Sequence, residues 1–303
     1  MLNTTTQHGA GTGRVVQATA GQGLDALGPA EVIALLGETG YLLFRGFSTD
    51  TDRFNAFVRG LSSRIISDPA REFEGAAAQK VDAGMQGVGL HLENGNSPFA
   101  PDLTWFFCRR AASAGSQTTV CDGYRVWDEL SESARDAFAA QDIVYARNVP
   151  ERLWRAFATH ALDGTKPFDE VTIEDLLTML SPAERGRTTL RTNIDSSVYY
   201  AYQVPGARAQ TLFGSRTAWA NSIFGPSYNY EQPTITFADG TEISEDLLAE
   251  CRKVTDAVTE DIVWQDGDVA LIDNTRVMHG RREIIDPDRT IFNAQSYLNR
   301  ELL

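Results

Sequence analysis

The sequence predicts a mainly β protein, a single β-sandwich or barrel core with flanking helices, on three observations. Strand-like runs stand towards both ends of the 303-residue chain. Helical stretches lie between them without regular βαβ alternation. No GxGxxG or P-loop sequence marks a nucleotide-binding array. An apolar fraction of 42% with 22% charged residues is that of an ordinary globular chain and leaves little room for extensive disorder.

Residues 1–22 are polar and rich in Gly and Thr, so they read as a flexible lead-in, with one domain expected over residues 23–303. Pro29 opens a helical pattern through Leu36 that ends near Gly37 and Gly40. Tyr41–Gly46 is a short apolar run closed by Gly, a buried strand, and Thr51–Leu61 returns to helical spacing. Leu103–Cys108 and Thr118–Cys121 flank the turn-prone Ala114-Gly115-Ser116 and predict an antiparallel pair. Gly123–Ala140 reads as one amphipathic helix and Ile143–Arg147 as a strand. Residues 150–215 mix helical stretches, Glu151–His160 and Ile173–Leu180, with irregular sequence, which predicts a helical, lid-like insertion. Ser244–Asp261 predicts a helix, and Asp268–Ile272 and Ile291–Leu298 predict strands on either side of a turn.

Acidic residues outnumber basic ones 41 to 27, and the net charge of -14 argues against nucleic-acid or anionic-membrane partners in the absence of a basic run. It favours a cationic ligand only weakly, because such a charge also serves solubility. No apolar run approaches the roughly 18 residues of a membrane span. Cys108, Cys121 and Cys251 are widely spaced and form no CxxC, so reduced cysteines of a soluble, cytoplasmic protein are expected, not a disulfide framework or zinc site.

The chain has four histidines. In His91-Leu92-Glu93 the imidazole and carboxylate are two residues apart, so on a strand they share a face and can ligate one ion. With 41 acidic residues such a pair also arises readily by chance. A third ligand, His279, lies in Asp273-Asn274-Thr275-Arg276-Val277-Met278-His279-Gly280-Arg281, just beyond a predicted strand. Two imidazoles and one carboxylate on one face of an octahedron leave room for a chelating co-substrate and dioxygen, the arrangement of non-haem iron(II) oxygenases. Two hydrogen-bonded core histidines would give the same spacing, and zinc also accepts this donor set.

An ordered set of segments resembles the taurine dioxygenase-like family of iron(II)/2-oxoglutarate oxygenases, in particular its clavaminate synthase type. The segments are Tyr41–Phe47, His91–Glu93 with Ser97–Cys108, Gly115–Gly123, and Gly267–Arg281 ending with Arg289. Together they run over most of the chain, and residues 150–215 match least. The resemblance implies a double-stranded β-helix, or jelly roll, with iron(II) held by His91, Glu93 and His279 and 2-oxoglutarate and dioxygen as co-substrates. Most members use Asp where Glu93 stands, while the clavaminate synthase type uses Glu; the related halogenases lack this carboxylate.

The resemblance also places Arg289 as the clamp for the far carboxylate of 2-oxoglutarate, which its forked guanidinium suits, with Thr118 as a further donor. A surface ion pair with Asp286 or Asp288 is the alternative for Arg289, and ordinary strand propensity for Thr118. The implied reaction is hydroxylation of an unactivated C–H bond; desaturation, cyclisation and epoxidation use the same oxidant. Candidates for the substrate pocket are Gln86, Asn94, Ser97, Phe99, Trp219, Asn221 and Arg276, with Phe99 and Trp219 equally readable as core aromatics. The expected substrate is a small polar molecule of specialised metabolism, an amino acid or derivative, free or attached to a carrier. Partners for its charged ends are expected after His91 and from the insertion through Asn221.

Overall fold

A computed structural model describes residues 2–6, 11–66, 73–81, 84–162, 164–226 and 231–303. Its core is a pair of layered sheets. A nine-stranded sheet contains Tyr41–Arg45, Val269–Asp273, Leu103–Arg110 and Thr290–Leu298 as successive antiparallel neighbours. Opposite it, a four-stranded sheet runs in the order Glu260–Ile262, Thr118–Asp122, Val277–Arg281, Val88–His91.

Alternation along the strands assigns the layers. In Tyr41–Arg45, Leu42 and Phe44 join the core under helices Pro29–Thr39 and Thr51–Leu61, whereas Tyr41 and Leu43 point the other way. There they meet Phe106, Ala270, Ile272 and Ile291 of their own sheet and Val120, Ile262 and Val277 of the smaller one, so this cluster fills the space between the two sheets. On the outer face of the smaller sheet, Cys121 and Met278 pack into a further core with Trp219 and Phe138. Residues 118, 120, 277, 279 and 281 consequently share the inner face of the sandwich.

Several expectations need correction. The lead-in is partly structured: Arg14–Gln17 pairs in parallel with Tyr41–Arg45, because adjacent Val15 and Val16 fill both faces of the sheet at that edge. Leu103–Arg110 and Thr118–Asp122 do not pair with each other but lie in opposite sheets, the chain crossing between them at Gly115, whose φ of 68° suits glycine. The helix expected over Gly123–Ala140 is two, Gly123–Glu129 and Glu132–Ala140, the second capped by the Ser131 hydroxyl. The stretch between Asp268–Ile272 and Ile291–Leu298 holds a strand of its own, Val277–Arg281. The insertion is not purely helical, since Thr188–Thr192 and Val198–Val204 join Ile143–Val149 in a third, four-stranded sheet.

All three cysteines are buried and free, and burial pushes their thiols up to about 12. Among the described residues, no helix is long and apolar enough to cross a membrane.

Arg276 is fixed by the fold. It leaves the inner face and makes a bidentate pair with Asp122 at 2.8 and 2.6 Å, its guanidinium 4.1 Å from the centre of the Tyr124 ring. Both charges are buried. Removing one partner would leave the other uncompensated, so Arg276→Ala should cost about 3–5 kcal/mol of stability, measured by urea unfolding. A loss below about 1 kcal/mol would show the pair to be dispensable.

Candidate metal centre

Strand register assembles the site. His91 and His279 are direct cross-strand partners between Val88–His91 and Val277–Arg281, and their rings lie 4.3 Å apart. Glu93 follows His91 by two residues and comes within 3.4 Å of the His279 Nε2. One ligand atom from each of the three residues lies within 4.8 Å of the other two. Donors about 2.0–2.2 Å from a common ion are spaced on the order of 3–4 Å, so the set is sized for one cation. Its chemistry fits as well, a buried carboxylate facing two imidazoles.

Neighbours hold each candidate ligand in place. A carbonyl only accepts, so His91 Nδ1 carries the hydrogen it shares with Gly89 O at 2.8 Å, which leaves Nε2 for an ion. Gly89 is required here: a Cβ would lie 1.9 Å from the Phe224 carbonyl oxygen. His279 is buried opposite Val120, and the Phe106 ring from the facing sheet packs edge-on against it at 5.3 Å. Asn274 holds Glu93 from behind. Its Oδ1 accepts from the Glu93 N–H at 2.8 Å, and its Nδ2 donates to the carbonyls of Glu93 and Pro101, each at 3.0 Å.

The two residues expected at the co-substrate clamp lie towards the Arg281 end of the His279 strand. Thr118 is buried on the inner face as the cross-strand partner of Arg281, and its hydroxyl accepts from Trp264 Nε1 at 3.1 Å while its own hydrogen remains to donate. Arg289 is partly buried, and among the described residues its side chain makes no ion pair and one long hydrogen bond, to Val81 O at 3.4 Å. Burial first, and the nearby Arg281 second, pull its pKa down to about 10. Asp286 and Asp288, its alternative partners, are engaged by Ser113 and Arg110 instead.

The substrate candidates divide. Trp219 is a core residue, fully buried between Phe138 and Phe224, and Arg276 is held by Asp122; neither lines an open site. Asn221 is buried and its Oδ1 accepts from the N–H of Ile223 in a local turn. The Asn94 amide donates to Gln295 Oε1 at 2.9 Å. Gln86 is exposed, and its carbonyl accepts from Arg281. Phe99 packs on Phe157 of the insertion. Ser97 lines a cavity of about 240 Å³. Sequence reasoning passed over Asn274 and Arg281, although both stand in the segment that pointed to His279.

The profile of the taurine catabolism dioxygenase TauD, TfdA family matches residues 5–295. The chain is similar to a clavaminate synthase-like protein of Arabidopsis thaliana, 24% identical over 283 residues, covering 85% of this chain and 82% of that one. It is similar also to the dapdiamide synthesis protein DdaC of Enterobacter agglomerans, 24% identical over 276 residues, with 82% and 79% covered. In three dimensions it resembles a taurine dioxygenase from Burkholderia xenovorans with a TM-score of 0.63, 15% identity and 95% and 86% of the two chains covered, a likeness of fold. The chain belongs to the TauD, TfdA family, whose members are iron(II)- and 2-oxoglutarate-dependent dioxygenases.

Asn274→Asp keeps shape but replaces the donor that serves two carbonyls with an acceptor. It should cost about 1–3 kcal/mol of stability and weaken metal binding, because Glu93 loses its backing. Urea unfolding and an iron(II) titration check this; unchanged metal affinity would free Glu93 from the clamp.

Proposed function

We propose that His91, Glu93 and His279 hold iron(II), that Arg289 with Thr118 takes the far carboxylate of 2-oxoglutarate, and that the enzyme hydroxylates an unactivated C–H bond of a small polar molecule. The observation that carries this reading is the convergence of one carboxylate and two imidazoles within 4.8 Å on the inner face of the sandwich. The two facing sheets are taken as the double-stranded β-helix core.

When bound, iron(II) and 2-oxoglutarate supply the dioxygen-dependent oxidation of a C–H bond. The chain supplies position and exclusion of water. His91 is kept in one tautomer by Gly89, His279 is packed by Phe106, and Glu93 is held by Asn274. Glu93 fills the position whose loss admits chloride in the related halogenases, which favours hydroxylation over halogenation. An amino acid or derivative is the preferred substrate, and the likeness to a dapdiamide synthesis protein supports a biosynthetic role.

Replacing His91 or His279 by Ala should abolish the weak visible charge-transfer band formed by the protein with iron(II) and 2-oxoglutarate, and turnover with it, while circular dichroism shows the fold retained. Near-normal turnover in both variants would overturn the metal assignment.

Arg289→Ala should weaken 2-oxoglutarate binding by on the order of 2–5 kcal/mol, and Arg289→Lys should restore only part of it, since a point charge cannot reproduce the fork. Titrating the band with 2-oxoglutarate measures both. An unchanged affinity in Arg289→Ala would move the clamp elsewhere.

A further inference from the structure

The cavity of about 240 Å³ lies beside the Glu93 segment and away from the expected clamp. Its walls include Ser97 and Asn274 on the metal side, and Glu184, Arg187, Tyr202 and Arg208 from the insertion. Asn274, whose amide backs Glu93, is a shared wall. The clamp residues sit at the opposite end of the His279 strand, five residues long from Val277 to Arg281 and so on the order of 13 Å from end to end. Neither Thr118 nor Arg289 lines the cavity.

Arg208 is the unusual member. It is partly buried and lines the cavity. Its Nε donates to the Ala220 carbonyl at 2.9 Å. Among the described residues its terminal nitrogens have no hydrogen bond and no carboxylate within ion-pair distance. Burial pulls its pKa down, so the site disfavours the very charge it holds. A cation kept in this way suits an anion that arrives from outside.

The other charges define that anion. Asp102, also in the wall, accepts from Leu298 N–H and Arg300. Among the described residues the Glu184 carboxylate accepts from the Tyr202 hydroxyl, at 2.6 Å, through one oxygen, and its second oxygen is left for another donor. Arg208 offers a partner to a carboxylate and Glu184 a partner to an ammonium, so the wall holds one site for each sign of charge.

We propose that this cavity binds the α-amino acid end of a small molecule, the carboxylate on Arg208 and the ammonium on Glu184. This rests on the reading of the substrate as an amino acid or derivative, but it is tested without iron. Thermal unfolding of the metal-free protein is followed with individual L-amino acids, their carboxamides and inorganic phosphate. At least one amino acid should raise the Tm, its carboxamide should not, and phosphate should not. In Arg208→Gln the amino acid should bind on the order of 30-fold more weakly or worse, whereas Arg289→Ala should bind it as the wild type does. Should Arg208→Gln fail to fold, Arg208→Lys is used, which keeps the charge and should still lose affinity because it lacks the fork.

A Tm shift by phosphate alone, an equal shift by the carboxamides, no shift by any amino acid, or undiminished binding in the Arg208 variants overturns the proposal. None of these touches the iron and 2-oxoglutarate assignments, which fail instead if the charge-transfer band does not form.

Discussion

The cross-strand register that sets His91 opposite His279, and His279 opposite Val120, is the constraint on which the candidate centre depends. Side chains alternate along a strand, so a slip of one residue would turn His279 into the outer core and bring Met278 inward. Apolar burial enforces the correct choice on both faces: Met278 and Cys121 fill the outer core, and Val277 and Val120 fill the space between the sheets. The polar ligands are thus held inside by hydrophobic neighbours with no alternative place to go.

A second layer of polar contacts converts this register into a geometry. The turn Asp273–Arg276 enters the His279 strand and touches both sides of the site at once. Asn274 grips the Glu93 backbone, and Arg276 ties the turn to Asp122 at the end of the neighbouring strand. Asp273 accepts from the N–H and hydroxyl of Thr275, while burial pushes its carboxyl up to about 6. The segment is costly to bury, and its polar groups fix where the carboxylate ligand stands relative to the two imidazoles.

Much of this was legible in the sequence for local reasons. The strands Tyr41–Arg45 and Val269–Asp273 are continuous apolar runs because both faces are buried, and helix Thr51–Leu61 shows its spacing because one face is. The His-x-Glu pair and the distal His stood out because histidines are few. What was hidden depends on partners far along the chain. Nothing local tells that Leu103–Arg110 and Thr118–Asp122 belong to different sheets, since a turn-rich link suits a hairpin and a crossing equally. Arg276 stood as a pocket candidate because it is polar and near the His279 motif, and Trp219 was readable as pocket or core; Asp122, 154 residues away from Arg276, and Phe138 show where they belong. Arg208 gave no signal at all in an irregular stretch.

Charge is laid out along the His279 strand in a way the net value conceals. The chain carries -14 overall, yet cations stand near both ends of this strand, Arg281 and Arg289 at one and Arg208 near the other. Burial disfavours the charged forms of Arg208 and Arg289 and pulls their pKa values down, so each is more favourable with an anion beside it than alone. Glu93, between them, is backed through its main chain by the neutral Asn274 amide. Arg208 and Arg289, set towards opposite ends of the strand, can each draw an anionic group to its own side. The same separation would let the co-substrate and the amino acid proposed above be held at once.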